Sequence, residues 1–411
     1  MSKLALHGGP PVRTSPLPLY KDLGEEELRL VSEVIASKQL NRTQGTFVQR
    51  FEQAFADHFG VTYCTASTSG TAAIHVAVGA LNLEPCDEVI TAPITDMGTV
   101  IPILAQNCLP VFADVDPQTY NITADTIRER LTDRTRAIIV VHLFGNPCDM
   151  DPILELARER DIAVIEDCSQ AHGTLYRGRR VGTLGELGAF SLQASKHITT
   201  GDGGMTITDD DRLGERIRLF ADKGWPRYSA EGARDYLMFG FNYRMTELQG
   251  AVGLAQLEKL DRICAARNWA GDLLTQKIAH VPGVVPPAVT PGGVHTYWLY
   301  ALRIKEEELG MSKEDFVKAA RAEGLPCGAG YIGKPIFLYE ALRRQQVYGT
   351  SHCPFDCPRY GSGHQIRYEE GVCPQTDQAL DEMVTLPISE FYQERDVEDI
   401  ATIIAKVAGA D

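Results

Sequence analysis

One lysine and one aspartate stand where covalent chemistry could be done, each following an apolar segment of the chain. Asp167 closes the run DIAVIED. Lys196 follows the run GAFSL, which contains Ser191, and precedes a stretch of Thr and Gly. In an α/β protein, a lysine that forms a Schiff base with pyridoxal phosphate (PLP) needs a carboxylate that keeps the pyridine nitrogen protonated, so that the ring is an electron sink. This ordered set predicts PLP chemistry.

Each of these residues is a weak signal when it is taken alone. A lysine in a glycine-rich loop is usually a solvated side chain. An aspartate at the end of a strand usually caps a helix or forms a turn. The order of the aspartate, the serine and the lysine along the chain is what makes the set specific.

A second segment, STSGTAAIHVAVGAL (67–81), places small hydroxyl residues and a glycine directly before a helical pattern. The first N–H groups of a helix have no partner within the helix and carry the positive end of its dipole. A phosphate at that point accepts several hydrogen bonds, to which the hydroxyls of Ser69 and Thr71 add. An ordinary helix cap without a ligand is the alternative interpretation.

The elements around these residues alternate between short apolar runs and amphipathic stretches from about residue 60 to residue 210. Such runs are typical of buried parallel strands, and the stretches between them have helical periodicity. We expect a parallel sheet with helices on both faces and a ligand site at the carboxyl ends of its strands. The predicted strands are YCTAST, DEVITAP, LPVFADV, RAIIVVHLF, DIAVIED, GAFSL and GMTITDD.

Helical patterns precede and follow this sheet, at residues 24–37, 47–58 and 246–262. The later segment VPGVVPPAVTPGGV, rich in Pro and Gly, indicates the start of a second domain with a strand (YWLYALRI) and two helices (SKEDFVKAARAEG and DVEDIATIIAKVA). Residues 340–375 are predicted to form a loop. The predicted organisation is an irregular arm (1–23), a large domain (24–262) and a small C-terminal domain (263–411).

The composition argues against several classes of protein. Acidic residues outnumber basic ones by 55 to 40, for a formal net charge of −15, which disfavours a nucleic-acid scaffold. No apolar run is long enough for a membrane span, and the N-terminus has no signal-peptide core. The 10 cysteines fit reduced core thiols better than a disulfide framework. We therefore expect a soluble cytoplasmic protein that contacts neither nucleic acid nor membrane.

Taken together, four segments resemble the DegT/DnrJ/EryC1/StrS family of PLP-dependent sugar aminotransferases. They are SGTAA (69–73), EDCSQAHG (166–173), GAFSLQASKHITTGDGG (188–204) and NYRMTELQGAVGLAQL (242–257). The resemblance runs from about residue 24 to the C-terminus. It implies the aspartate aminotransferase (type I) fold, in which a large α/β domain has a mostly parallel sheet flanked by helices and a smaller C-terminal domain is α+β.

The resemblance also implies roles by position. Lys196 would carry PLP, Asp167 would pair with its pyridine nitrogen, and Gln170 would lie near its ring. Asn242 would reach the phosphate bound in the neighbouring subunit, which implies a homodimer with shared active sites. The implied phosphate ligands within the chain are Ser69, Gly70, Thr71 and Ser191.

Candidate substrate contacts come from several segments. Arg244 follows Asn242, and the fork of its guanidinium suits carboxylate and phosphate oxygens. His172 lies close behind Asp167, with a packed core position as an equal alternative. The segment GVHTYWLY suggests that His295 and Tyr297 face the site from the small domain, with core packing as the alternative for Tyr297.

These roles describe transamination. Partial burial lowers the pKa of Lys196, so that the neutral amine can attack a carbonyl and later move a proton between the substrate and the cofactor. Ping-pong kinetics is expected. The resemblance suggests glutamate or glutamine as the donor and a keto-sugar or ketocyclitol as the acceptor, in amino-sugar, aminocyclitol or antibiotic biosynthesis. An aminodehydratase of the 3-amino-5-hydroxybenzoate synthase type and a non-catalytic PLP-fold regulator stay open as alternatives.

Two positions depart from the family pattern near the expected acceptor site. Asp96 occupies the place where an aromatic residue commonly stacks on the cofactor ring, so either Met97 or another side chain covers the ring, or Asp96 contacts the substrate. Phe337 stands where a histidine usually follows a Tyr-x-x-Pro pattern. The N-terminal LALHGGPPVRT is more similar to family members that act on cyclitols than to the shorter nucleotide-sugar enzymes.

The segment HCPFDCPRYGSGH (352–364), with Cys373 downstream, raises the alternative of a zinc site. The Cys-x3-Cys spacing is permissible, but paired Cys-x2-Cys knuckles are absent from it. We expect a substrate loop or a surface loop here, and no metal in the protein.

Overall fold

Three β-sheets and the helices around them make up the part of the chain that the computed structural model describes, residues 3–227, 235–360 and 366–410. Its strands are β1 (Tyr63–Ser67), β2 (Glu88–Thr91), β3 (Leu109–Phe112), β4 (Thr135–Val141), β5 (Ala163–Asp167), β6 (Leu175–Tyr176), β7 (Arg179–Arg180), β8 (Leu187–Ser191), β9 (Gly204–Thr208), β10 (Val284–Val285), β11 (Gly293–Val294), β12 (Leu299–Ile304) and β13 (Met383–Pro387). Its α-helices are α1 (Glu25–Ser37), α2 (Phe47–Phe59), α3 (Gly70–Leu81), α4 (Met97–Ala105), α5 (Ala124–Arg128), α6 (Met150–Glu159), α7 (Asp211–Ala221), α8 (Glu247–Leu257), α9 (Leu260–Ile278), α10 (Glu306–Leu309), α11 (Lys313–Ala322), α12 (Glu340–Arg343), α13 (Pro374–Glu382) and α14 (Glu394–Val407).

The central sheet has 7 strands in the order β1-β9-β8-β5-β4-β2-β3. Each apolar run predicted between residues 60 and 210 forms one of these strands. The pairs from β8 through β5, β4 and β2 to β3 are parallel, and β9 runs antiparallel to both of its neighbours. The predicted mostly parallel sheet is thus confirmed.

Strand β4 shows why these strands read as continuous apolar runs. Successive side chains of a strand point to opposite faces of its sheet. Ile138 and Val140 pack in the hydrophobic cluster on one face, whereas Ala137 and Ile139 pack in the cluster on the other. Because helices cover both faces, neither set of side chains meets water. The sequence of β4 therefore does not alternate between polar and apolar residues.

The pairing register brings the ends of three strands together. Gly204, at the start of β9, pairs with Ser67 at the end of β1 and with Ser191 at the end of β8. Asp167, at the end of β5, pairs with Ala189 of the parallel strand β8. The carboxyl ends of β1, β5 and β8 therefore meet at one edge of the sheet, which is where a ligand site is expected in this class of fold.

A second, antiparallel sheet in the order β10-β12-β13 packs with α9, α11 and α14 around a separate hydrophobic cluster. The N-terminal arm is held on this unit. The backbone N–H groups of Ala5 and Val12 donate to the Glu323 carboxylate over 2.8 and 3.0 Å, and Leu17 joins the cluster. The arm contains a 3₁₀ turn at Ala5–His7 but is otherwise irregular, as expected.

Two predicted elements have other limits in the structure. The predicted helix 246–262 is divided into α8, which ends at Leu257, and α9, which continues to Ile278. Residue 262, where the large domain is predicted to end, lies inside α9, and the division into domains stays a prediction. Residues 340–375 contain α12 and bury Leu342 and Tyr368, so part of this predicted loop belongs to the core.

None of the helices within the described ranges has the length and apolarity that a bilayer crossing requires. The cysteines all lie in these ranges and carry free thiols. The prediction of reduced core thiols is consistent with this finding.

Candidate active site

A polar cavity of about 470 Å³ opens at the carboxyl ends of β1, β5 and β8. This volume lies within the range of about 300–1,000 Å³ that is usual for small-ligand pockets. The side chains that line it come from loops far apart in the sequence. They are Ser69, Gly70, Thr71, Ile74, Thr95, Asp96, Gly98, Thr99, Val141, Asp167, Ser169, Gln170, Ser191, Gln193, Ser195, Lys196, Asp202, Trp298 and Tyr331.

Lys196 is the cation among these lining residues, and its loop is held from two sides. The Nε1–H of Trp298 donates to the carbonyl of Ser195 over 2.9 Å, and the Lys196 Nζ lies 3.9 Å from the centroid of the Trp298 ring. From the N-terminal arm, Lys21 donates a hydrogen bond to the Lys196 carbonyl. Burial lowers the pKa of Lys196 to about 8, while the carboxylates of Asp167 and Asp96 oppose this shift.

The lowered pKa predicts how the apoprotein captures PLP. A Schiff base forms through the neutral amine, and the neutral fraction of Lys196 increases as the pH rises through about 8. We expect the rate of PLP capture, followed by absorbance after mixing, to rise through that pH and then level off. An inflection at the ordinary lysine pKa of about 10.4 would contradict the prediction.

Asp167 is buried, with 3% of its surface exposed, and its two carboxylate oxygens have separate donors. The backbone N–H of Ser169 donates to Oδ1 over 3.0 Å. The Thr99 hydroxyl donates to Oδ2 over 2.7 Å, and the Thr95 hydroxyl lies 2.7 Å from that of Thr99. These two hydrogen bonds fix the direction in which the carboxylate points.

Removing the Thr99 hydroxyl tests this support. We expect Thr99→Val to raise the dissociation constant for PLP by about tenfold, since a hydrogen bond to a charged group contributes roughly 1.5–3 kcal/mol. Thr99→Ser keeps the hydroxyl and serves as the matched control. Titration of the apoproteins with PLP gives the two constants, and equal constants for the valine and serine variants would remove Thr99 from the site.

The predicted phosphate ligands lie together at the N-terminus of α3. Ser69 caps this helix and accepts from the Ala72 N–H over 3.1 Å. A Cβ at Gly70 would lie 2.6 Å from the Cβ of Ser191, so only glycine leaves this space open. With the hydroxyl of Thr71, these residues form a cradle of backbone and hydroxyl donors at a helix N-terminus, which fits the phosphate of PLP.

Gln170 lies in the cavity with its amide orientation fixed. Its Oε1 accepts from the Phe144 N–H over 2.8 Å, and its Nε2 donates to the Tyr331 hydroxyl over 3.1 Å. The Phe144 and Tyr331 rings pack edge to face, and Tyr331 packs in the same way on Trp298. Trp298 and Tyr331 line the cavity, and Phe144 packs against both of them.

Sequence reasoning missed several lining residues, above all Thr99, Trp298 and Tyr331. Trp298 adjoins the two residues of the GVHTYWLY segment that were predicted to face the site, but the chain turns Tyr297 and His295 inward instead. Tyr297 adopts a φ of +44°, and its ring stacks on that of His295 with centroids 3.8 Å apart. The backbone conformation at Tyr297 therefore leaves Trp298, rather than Tyr297 or His295, to line the cavity.

His172 and His295 do not line the cavity. His172 is 0% exposed, and its ring lies 5.5 Å from those of Phe190 and His197. The His295 Nδ1 accepts from the Tyr297 N–H over 2.9 Å. Burial lowers the pKa of both histidines to about 3. The core alternative describes His172 in this chain, and His295, which was predicted to face the site, is packed in the core as well.

Arg244 and Asn242 also lie outside the cavity of their own chain. The Arg244 guanidinium forms an ion pair with Asp222, which also pairs with Arg227 over 2.5 Å. Asn242 is exposed and forms a backbone bridge with Asp222. Arg244 is therefore engaged by an acidic residue of its own chain, whereas Asn242 is open to solvent.

The two departures from the family pattern have different outcomes. Asp96 lines the cavity and caps α4, with its Oδ1 accepting from the Gly98 N–H over 2.7 Å. Met97 packs against a hydrophobic cluster outside the cavity. Phe337, expected near the acceptor site, is only 1% exposed within that same cluster. Of these three residues, Asp96 alone is placed to contact a ligand.

A buried group beneath the sheet edge offers three potential metal ligands within 4.8 Å, namely His142, Glu166 and Cys168. Hydrogen bonds already occupy the polar atoms of His142 and Glu166. The His142 Nε2 lies 3.0 Å from Glu166, and the His142 Nδ1 accepts from the Cys148 N–H over 3.0 Å. Three backbone N–H groups of the loop 182–185 also donate to the Glu166 carboxylate. This network fastens the loop 182–185 to Glu166, which directly precedes Asp167 in β5.

One cysteine named for the alternative zinc site of segment 352–364, Cys373, packs in a different cluster from Cys357. Cys373 lies 3.9 Å from the Phe112 carbonyl. His364 lies outside the described residues.

A lysine of lowered pKa, a hydrogen-bonded carboxylate and a phosphate cradle in one cavity at this edge of the sheet define a PLP-dependent enzyme of the type I fold. The crystal structure of an aminotransferase from Psychrobacter cryohalolentis is similar, with a TM-score of 0.84 and 30% identity, over 97% of this chain and 99% of that one.

Two relatives extend the comparison. The L-glutamine:2-deoxy-scyllo-inosose aminotransferase of Streptomyces kanamyceticus is 32% identical over 424 residues, 99% of this chain and 97% of that protein. The GDP-perosamine synthase of Caulobacter vibrioides is 41% identical over 284 residues, 68% of this chain and 75% of that protein. A model of the DegT/DnrJ/EryC1/StrS aminotransferase family matches residues 21–405. The chain belongs to this family, and it is a PLP-dependent aminotransferase.

Proposed function

We propose that this enzyme moves an amino group from glutamine or glutamate to the ketone of a sugar or cyclitol. The observation that carries the proposal is the presence of Lys196 and Asp167 in one cavity whose remaining wall is rich in hydrogen-bonding groups. The relatives from Streptomyces kanamyceticus and Caulobacter vibrioides, named for a cyclitol and a sugar substrate, support this acceptor class.

Lys196 and Asp167 have different roles in the proposed transamination. When bound, PLP supplies an electron sink for the bond that loses its proton. With PLP bound, Lys196 would take the proton from the substrate carbon that bears nitrogen and return it on the cofactor side, and it would act in the reverse order for the acceptor. Asp167 keeps the ring nitrogen protonated, with Thr99 and the Ser169 N–H holding its carboxylate in place.

The acceptor hydroxyls are proposed to meet the polar lining residues that have no role in holding the cofactor. Asp96, Gln193, Ser195 and Asp202 are such residues. Carboxylate and amide oxygens accept hydrogen bonds from hydroxyl groups, and amide N–H groups donate to them. Asp96, in the place of a stacking aromatic residue, is proposed to bind an acceptor hydroxyl.

A two-stage assay tests the proposal. Glutamine or glutamate first bleaches the PLP absorbance of the holoenzyme, and the amino form is then isolated and mixed with a panel of nucleotide-linked keto-sugars and free inososes. We expect at least one of these ketones to restore the absorbance and to yield its amine. The panel also identifies whether the acceptor carries a nucleotide.

The alternatives give different results in the same assay. A product that has lost water and become aromatic would identify an aminodehydratase. A holoenzyme that no amino donor bleaches would revive the non-catalytic regulator. Either result would overturn the proposed transamination of a sugar or cyclitol.

A homodimer with shared active sites is part of the proposal. Asn242 is exposed and does not line the cavity of its own chain. Apolar side chains surround it in the sequence, of which Phe239 is 75% exposed and Tyr236 and Leu237 are about half exposed. Exposed apolar groups of this kind are typical of protein interfaces, and a second copy seated there would bring Asn242 to the phosphate of its partner.

Mixed dimers test this arrangement. Asn242→Ala weakens PLP retention in a homodimer, and Lys196→Ala removes the active lysine from both sites. When the two variants are mixed and allowed to exchange subunits, one of the two sites in each hybrid holds an intact Lys196 and an intact Asn242 from the other chain. We expect activity to recover to roughly a quarter of wild type from random pairing. An inactive mixture, with exchange verified by mass spectrometry, would contradict shared sites.

A further inference from the structure

Three of the cysteines converge at one point, away from the active-site cavity. Cys86 lies just before β2, whereas Cys353 and Cys357 belong to the loop that follows α12. The Cys357 side chain packs against the cluster that contains Cys86, and the Cys357 N–H donates to the Pro354 carbonyl over 3.3 Å. The Cys86 sulfur also lies 3.8 Å from the Pro354 carbonyl, so the loop and the start of β2 are in direct contact.

Cys86 and Cys357 differ in their exposure to solvent. Cys86 is 0% exposed and packs with Leu109 and Tyr360, and Cys357 packs against this cluster while remaining half-buried. A peroxide molecule can therefore reach Cys357 from solvent, but Cys86 is shielded. This is the asymmetry of a thiol pair in which one member reacts with the oxidant and the other acts only on its neighbour.

The surroundings also favour a thiolate at Cys357. The backbone N–H of Arg359 and the thiol of Cys86 hold the pKa of Cys357 below its ordinary value. Burial raises the pKa of Cys86 to about 12, against the opposing charge of the nearby Arg134 guanidinium. A lowered pKa at a partly exposed cysteine favours its reaction, because the thiolate is the nucleophile.

We propose that Cys357 and Cys86 form a peroxide-sensitive thiol pair that closes to a disulfide. The Cys357 thiolate attacks one oxygen of hydrogen peroxide, the O–O bond breaks, and the departing hydroxide takes up a proton to leave as water. Cys357 is oxidised to the sulfenic acid. The Cys86 sulfur then attacks the Cys357 sulfur, the S–O bond breaks, and the hydroxide leaves with the Cys86 proton as a second water.

The disulfide would fasten the loop to the central sheet. Hydrogen bonds already dock this loop, since the Tyr360 hydroxyl donates to Glu88 of β2 over 2.9 Å and Arg134 donates to the Arg359 carbonyl over 2.9 Å. The covalent bond would join the same two segments, and a reducing thiol would release them again.

The experiment uses the purified holoenzyme. It is treated with hydrogen peroxide, its remaining thiols are blocked with iodoacetamide, and the digest is mapped by mass spectrometry without reduction. We expect a peptide in which Cys86 is joined to Cys357 and which dithiothreitol cleaves. In Cys86→Ala the joined peptide is lost, and dimedone labels Cys357 as the accumulated sulfenic acid.

Cys327→Ser is the matched control, because Cys327 is a buried thiol with its sulfur 3.8 Å from the Val317 carbonyl. It should leave the yield of the Cys86–Cys357 peptide unchanged. A bridge between Cys353 and Cys357 instead, or no bridge at any peroxide concentration, would overturn the proposal. So would stoichiometric zinc that keeps these thiols unreactive until a chelator removes it.

Discussion

Replacing Lys196 with alanine abolishes transamination while the protein still folds and still binds PLP noncovalently. The cradle at Ser69, Gly70 and Thr71 is untouched by the change, but no amine remains to join the aldehyde or to move the substrate proton. We expect the rate of the half-reaction with glutamine to fall by at least about 10³-fold. Stopped-flow absorbance measures this rate, and circular dichroism verifies the fold.

Lys318→Ala is the matched control, because Lys318 is exposed on α11 and lies outside the cavity. It should transaminate at the wild-type rate. Borohydride reduction of the wild-type holoenzyme followed by peptide mapping should find the cofactor on Lys196. A label on any other lysine, or wild-type turnover by Lys196→Ala, would remove Lys196 from the chemistry.

Asp167→Asn produces the second large loss. Asparagine keeps the shape of the side chain, and its carbonyl oxygen can still accept from Thr99 or from the Ser169 N–H. It carries no charge, however, so the pyridine nitrogen of PLP loses its proton at neutral pH and the ring withdraws electrons less strongly. We expect the half-reaction to slow by about 10²–10⁴-fold with PLP still bound.

The measurement pairs the rate with the absorbance spectrum of the bound cofactor, which reports the protonation of its ring. Asp381→Asn removes an exposed carboxylate from α13 and should change neither quantity. If Asp167→Asn reacted at the wild-type rate, another group would have to protonate the ring, and the assignment of Asp167 would fail.

Much of the fold followed from local pattern. Strands such as β4 and β5 are buried on both faces, so their apolar runs are unbroken and easy to recognise. The helices α1 and α2 lie within a residue of their predicted limits. The helix predicted at 246–262 failed as a single element because a break between Leu257 and Leu260 leaves the apolar period on both sides intact.

The substrate-side predictions were weaker for a physical reason. His172 and His295 are placed close to site residues in the sequence, but the core of this chain buries both. Asn242 and Arg244 are two residues apart in one motif, yet Asn242 is exposed and Arg244 pairs with Asp222. Nearness along the chain does not fix the direction in which a side chain points.

The sequence by itself predicted the residues proposed to carry the chemistry, because Lys196, Asp167 and the Ser69–Thr71 cradle each lie at the end of a strand or within five residues after it, and the pattern of each strand is local. The tertiary structure alone decided what surrounds them. Thr99 reaches Asp167 from α4, and Trp298 reaches the Lys196 loop from the segment before β12. Cys86 likewise meets Cys357 only in the folded chain. Such contacts depend on how separate elements pack, and no periodicity within one element encodes them.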